Sequence, residues 1–293
     1  MAAIPADSQS ALPAATRMGA VSLTVADLAR SLDYYRGTIG LRVLEESRHA
    51  AVLGNGRMPL LELVEVPGAA TPRGHTGLYH FALLLPERTD LARWLAHAAR
   101  ERVRLVGLSD HVVSEAVYLS DPDGHGIEVY ADRPRRLWEG QVATRMTTLP
   151  LDVESLLAEL DDPAAEPFDG LPDGTAMGHV HFKVAGVPQA IAFYRDVLGF
   201  GLVAALDGQA AFLAAGGYHH HVGANSWESA GASPPPDGAA ALRHASVVLP
   251  SSAERNALLR RVESLGVGVE ETPGGPLVRD PSGNGLLLGH DGG

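Results

Sequence analysis

The sequence predicts an α+β protein built from four copies of one strand–helix–strand–strand–strand (βαβββ) module. Three observations carry that prediction. One strand register recurs at Ala20-Val21-Ser22-Leu23-Thr24-Val25, His80-Phe81-Ala82-Leu83-Leu84-Leu85, His179-Val180-His181-Phe182-Lys183-Val184 and His244-Ala245-Ser246-Val247-Val248-Leu249. The first and third copies then run in parallel without a gap, Val25 to Arg36 against Val184 to Arg195, and close with Ile39-Gly40-Leu41 and Leu198-Gly199-Phe200. The second and fourth share a tight turn, Asp121-Pro122-Asp123-Gly124-His125-Gly126 and Asp280-Pro281-Ser282-Gly283-Asn284-Gly285, each delivering a last strand. One such module cannot bury its own sheet, so the copies must pair.

Taken in order, residues 1–16 are rich in Ala, Ser and Pro and lack the basic start and apolar run of a signal peptide, which predicts a disordered leader. The first module spans 17–68. Leu28, Leu32, Tyr35 and Ile39 repeat at helical spacing, with Gly40 as a left-handed stop. Ala50 to Leu53 and Leu60 to Val64 then form a hairpin over Gly54-Asn55-Gly56. The second module spans 77–133, with its helix near Glu87–Arg100 and a last strand, Gly126 to Tyr130. Residues 134–176 read as a linker with one short helix over Asp152–Leu160. The third and fourth modules occupy 177–228 and 241–290, the fourth with a helix near Ser252–Leu265.

Composition narrows the function. No cysteine is present, which removes disulfides, iron–sulfur clusters, thiolate zinc and cysteine nucleophiles and fits a cytoplasmic protein. A formal charge of -12 repels phosphate backbones, so no nucleic-acid partner is expected. No apolar run reaches membrane-spanning length, so no membrane partner is expected either.

The positive signal is histidine at one point of a repeated strand. A lone strand histidine is more often packing than ligand. Three in one register, beside a glutamate (Glu128) inside an otherwise apolar strand, point to a transition metal, because a buried carboxylate needs a cation or a partner. By strand alternation Glu128 faces away from Ile127 and Val129.

Four such modules, with Gly77-Leu78-Tyr79-His80-Phe81, Asp110-His111 followed by Ser114-Glu115-Ala116, Asp121 to Ala131, and Tyr218-His219-His220-His221, resemble the vicinal oxygen chelate superfamily, which holds glyoxalase I, bleomycin-resistance proteins and type I extradiol dioxygenases. The resemblance covers nearly all the chain after Met18 and is greatest to its catechol-2,3-dioxygenase-like branch. It implies that modules pair into two half-barrels, each taking ligands from first and last strands. Pairing the second module with the third would gather His80, His179 and Glu128 into a two-histidine, one-carboxylate triad. Other pairings leave two ligands per site, and Ala20 and Leu287 can bind nothing. His244 is then structural, and His181 is either a supporting group or a competing ligand.

The resemblance further implies Fe(II), with Mn(II), Zn(II) and Ni(II) as alternatives, and a catechol-like substrate cleaved with O₂. It implies an acid–base histidine on the hairpin strand of the third module. Aligning loops Gly54–Arg57 and Ala214–Gly217 sets Val222 opposite Glu62 and turns His220 inward, with His219 or His221 one slip away. Tyr118, three residues before Asp121-Pro122, matches a tyrosine that hydrogen-bonds a ring oxygen, and His111 resembles a second orienting residue. Trp227 and Trp138 could wall the pocket. Two other readings remain open: a glyoxalase-like isomerase or lyase with His220 as fourth ligand, and a non-enzymatic small-molecule-sequestering protein. Homo-oligomerisation is also left open.

Overall fold

A computed structural model describes residues 11–292. Residues 1–10 of the expected leader lie outside the described residues, but the expectation of disorder does not hold for its last six. Ala11 and Leu12 donate their N–H groups to the Gly199 carbonyl at 2.8 and 3.2 Å, and Leu12 and Thr16 are buried. A single leucine inserted into the core is enough to tie down such a segment.

The four modules appear as read. The first contains β1 (Arg17–Val25), α1 (Leu28–Tyr34), β2 (Arg42–Glu46), β3 (Ala50–Gly54) and β4 (Pro59–Glu65). The second contains β5 (Gly77–Leu85), α2 (Arg88–Arg100), β6 (Leu105–Asp110), β7 (Ser114–Ser120) and β8 (Gly126–Asp132). The linker carries α3 (Val142–Arg145), β9 (Leu149–Pro150) and α4 (Val153–Leu157), the last capped by the Asp152 carboxylate on Ser155 N. The third module has β10 (Ala176–Lys183), α5 (Val187–Ile191), β11 (Gly201–Leu206), β12 (Ala210–Ala214) and β13 (Val222–Asn225). The fourth has β14 (Leu242–Leu249), α6 (Ser252–Ser264), β15 (Val269–Thr272), β16 (Gly275–Arg279) and β17 (Gly285–His290).

Two sheets result, and each takes one module from either half of the chain. One runs β11-β12-β13-β10-β5-β8-β7-β6-β9, joining the third module to the second; the other runs β15-β16-β17-β14-β1-β4-β3-β2, joining the fourth to the first. The antiparallel β5–β10 seam is what brings the histidine-bearing first strands together, with His181 opposite His80 and His179 opposite Ala82.

The repeated turns cross-link modules that do not share a sheet. In the second module Asp121 gathers the backbone N–H groups of Asp123 and His125 and accepts the Tyr35 hydroxyl of the first module at 2.9 Å. In the fourth, Asp280 does the same with Ser282, Asn284 and the Tyr194 hydroxyl at 3.0 Å. His125 and Asn284 then donate to the Thr24 and Lys183 carbonyls. In both odd modules a π-helical turn (Tyr35–Ile39 and Ala192–Val197) follows the α-helix, and the tyrosine sits inside it. Gly40 ends the first at φ 91°, where a Cβ would strike the Phe168 ring. His125 is thereby a structural residue.

Candidate metal centre and active-site cavity

The second-with-third sheet curls around a cavity of about 880 Å³, within the roughly 300–1,000 Å³ of small-molecule sites. Its floor is polar. His80 Nε2 lies 3.0 Å from Glu128 Oε2, His179 Nε2 lies 3.1 Å from the same oxygen, and the two nitrogens are 3.2 Å apart. All three residues are buried, and among the described residues they are the one such group of histidines and carboxylates placed to share an ion. β5 supplies His80, β10 supplies His179 and β8 supplies Glu128, whose register partner Ala82 leaves the strand face open.

The donor set fits a divalent cation. Donors at right angles about one centre, with bonds of about 2.1–2.2 Å, stand about 3.0–3.1 Å apart, which is the size of this triangle. All three donors line the cavity. His179 Nδ1 is enclosed without a partner, so Nε2, the atom facing the triad, carries that ring's polar contacts. Burial opposes ionisation of Glu128, yet the two imidazoles hold its carboxyl well below the usual range. Burial also lowers the His179 pKa to about 4, so the ring is a neutral donor at pH 7.

His181 does not compete for this centre. Its Nε2 meets the Asn225 amide at 3.0 Å, and Gly223 lies so close beneath the ring that a Cβ there would stand 2.7 Å from it. Gly223 holds, in the third module, the register place of Glu128: it pairs with His181 as Glu128 pairs with Ala82. A fourth protein ligand from that last strand is therefore absent.

His220 faces the cavity, its ring centre 4.1 Å from that of His179. Residues 218–221 precede β13 as an irregular connection rather than a strand, and the partner of Ser22 is Glu62 whereas that of His181 is Gly223, so Gly223 and not Val222 corresponds to Glu62. Alternation alone could not orient the run. Hydrogen bonds do: His221 Nδ1 accepts from Ala215 N at 3.1 Å, and His219 Nε2 meets Asp132 at 2.9 Å, leaving His220 alone of the three in the cavity wall. Burial, then the imidazoles of His179 and His219, depress the His220 pKa well below the histidine range, so its ring is neutral at pH 7.

Tyr118 and His111 also line the cavity, but as a pair. His111 Nδ1 donates to the Thr147 carbonyl at 2.9 Å, so its Nε2 is the acceptor for the Tyr118 hydroxyl at 2.7 Å. Both nitrogens of His111 are thus engaged, one by the Thr147 carbonyl and one by Tyr118. Burial, then the charge of Glu128, push the Tyr118 hydroxyl well above its ordinary value, so it stays protonated. Trp227 walls the cavity beside Tyr79 as expected. Trp138 does not; it is buried behind the wall against Tyr218 and His219.

Three functional features escaped sequence reasoning. The first is the Asp132–His219 pair, whose signal was an aspartate at the end of the ligand strand. The second is Asn225 as the partner of His181. The third lies in the other sheet, where His244 and Glu62 face each other at 3.8 Å, on the strand positions of His80 and Glu128. Aligning Glu62 with Glu128 would have found it. Among the described residues, no third histidine or carboxylate joins that pair.

Comparison with known proteins converges on the same family. The model of the Glyoxalase/Bleomycin resistance protein/Dioxygenase superfamily matches residues 17–129 and 176–288. A Catechol-2,3-dioxygenase of Bacillus subtilis (strain 168) is 44% identical over 274 residues, 91% of this chain and 94% of the relative. Among solved structures, a candidate dioxygenase from Bacillus subtilis superposes with a TM-score of 0.64 at 16% identity, covering 94% of this chain and 86% of the other. Glyoxalase I from Zea mays does so with a TM-score of 0.56 at 17% identity, covering 94% and 92%. With both halves matched and the paired βαβββ modules in place, the chain belongs to the glyoxalase/bleomycin resistance protein/dioxygenase superfamily.

Proposed function

We propose that the chain is an Fe(II)-dependent extradiol dioxygenase, opening a catecholic ring beside its two hydroxyl-bearing carbons. The observation that carries this reading is the three-donor face of His80, Glu128 and His179 beneath an open cavity, with a neutral histidine and a protonated tyrosine on the walls. His80, Glu128 and His179 would hold the iron, which supplies Lewis acidity, one-electron chemistry and open positions for diol and O₂.

The chain's own residues do the rest. His220 accepts a proton from a diol hydroxyl at Nε2 and later returns it to the departing oxygen as general acid. Tyr118, whose hydroxyl proton is held by His111, accepts a hydrogen bond from a ring hydroxyl and fixes the ring's rotation. Leu78, Ile127, Phe212 and Trp227 surround an aromatic ring with apolar surface. The high identity to a catechol-2,3-dioxygenase over nearly both full lengths supports the same substrate class. The isomerase reading is less well supported, because it wants a fourth ligand: Gly223 has no side chain, and His220 is not among the donors that converge.

The test is His220→Phe. It should retain Fe(II) and bind catechol while losing ring cleavage by about 10²–10⁴-fold, the scale for removing a general acid–base group. Loss of the metal instead would make His220 a ligand and favour the isomerase reading.

A further inference from the structure

We infer that Asp132 and His219 are positioning residues that fix the tautomer of His220, leaving its Nε2 bare toward the cavity. The assignment follows from three contacts. A carboxylate can only accept, so the 2.9 Å contact between Asp132 Oδ1 and His219 Nε2 places a proton on that nitrogen. With that nitrogen carrying the ring's single proton, His219 Nδ1 is a lone pair. His219 Nδ1 lies 2.9 Å from His220 Nδ1, and one of the two must donate; with His219 fixed as acceptor, the proton belongs to His220 Nδ1. His220 Nε2 is left as a lone pair on the cavity side.

The surroundings hold this chain in place. His219 is wholly buried, with Trp138 and Tyr218 against its ring. Arg135 donates to the Gly216 carbonyl and ties the preceding turn to the linker, while Asp132 remains one-quarter exposed at the end of β8. The chain of contacts thus runs from the cavity, through an enclosed imidazole, to a carboxylate at the surface.

The consequence is directional. When His220 takes a proton at Nε2, its Nδ1–H is already held by His219 and the positive charge is shared toward Asp132, with no proton moving along the chain. A carboxylate–histidine pair of this kind works by holding the right tautomer, and exchanging its aspartate for asparagine elsewhere yields the wrong one.

This inference rests on the ring-cleavage reading for its effect on turnover, but not for the tautomer. The first measurement is therefore ¹⁵N NMR of the full-length, metal-free chain labelled at histidine, with His220 identified by the resonance lost in His220→Phe. Wild type should show His220 protonated at Nδ1, and Asp132→Asn should shift it toward the Nε2-protonated form. The second is steady-state cleavage of catechol by the Fe(II)-loaded proteins. Asp132→Asn should lower kcat by about 10²-fold with KM within about 3-fold and iron content unchanged, since it misorients a base without touching the ring. His220 protonated at Nε2 in wild type overturns the assignment, and this spectrum decides even if the variant does not fold. An Asp132→Asn protein with wild-type tautomer and wild-type kcat overturns it as well. If the tautomer behaves as stated yet no protein cleaves catechol, the assignment stands and the ring-cleavage reading falls.

Discussion

Acidification should loosen the loop that carries His220, and His221 makes the size of the effect calculable. His221 is buried, its Nδ1 accepting from Ala215 N at 3.1 Å while its backbone bonds Leu213 O and Val180 N. Burial, with the neighbouring imidazoles of His219 and His179, lowers its pKa from 6.5 to about 3. The folded value is below the unfolded one, so between these pH values the unfolded chain binds the extra proton. The stability is present above pH 6.5 and is lost as pH falls toward 3. At 1.36 kcal/mol per pH unit, lowering pH from 7 to 5 removes about 2 kcal/mol through this residue alone. The assay is urea denaturation of the metal-free chain at both pH values, for wild type and for His221→Asn, which can keep an acceptor near the Ala215 N–H. The loss on acidification should be about 2 kcal/mol smaller in the variant. Equal losses in the two proteins would refute the reasoning and place the acid sensitivity elsewhere.

Other predictions follow from single contacts. His80→Ala or Glu128→Ala should abolish metal binding with the fold retained, whereas His244→Ala should leave metal stoichiometry unchanged, as measured by elemental analysis after anaerobic loading. Tyr118→Phe should lower kcat/KM for catechol by roughly 5–10-fold, the worth of one neutral hydrogen bond and so less than His220→Phe, read from steady-state kinetics. Tyr35→Phe and Tyr194→Phe should each cost about 1.5–3 kcal/mol, because each removes a hydroxyl donor from a buried aspartate, and urea midpoints should fall by similar amounts in both.

Much of this was legible because repetition carries phase. The four registers put His80, His179 and Glu128 on strands that the sheet brings together, since a strand fixes which neighbours share a face, and counting donors selected the module pairing that the sheets display. What failed was whatever depended on irregular backbone. The run from His219 to His221 was read as strand, and period-two alternation reached His220 through a register one residue out; its orientation comes from Ala215 N and Asp132, neither of which alternation can find. Spacing likewise cannot reveal that the Thr147 carbonyl selects the tautomer of His111. The docking of Leu12 was invisible for a similar reason, as one apolar residue in a polar leader gives no period. The Asp121–Tyr35 and Asp280–Tyr194 links joined two motifs that had each been noticed, but only topology brings them together.

Ring cleavage is tested most directly by anaerobic loading with Fe(II), addition of catechol, and exposure to ¹⁸O₂ with mass analysis of the product. One iron per chain is expected, with a yellow ring-fission product opened beside the diol and carrying two ¹⁸O atoms. Bound metal without O₂ consumption, or a product opened between the two diol carbons, would contradict extradiol cleavage.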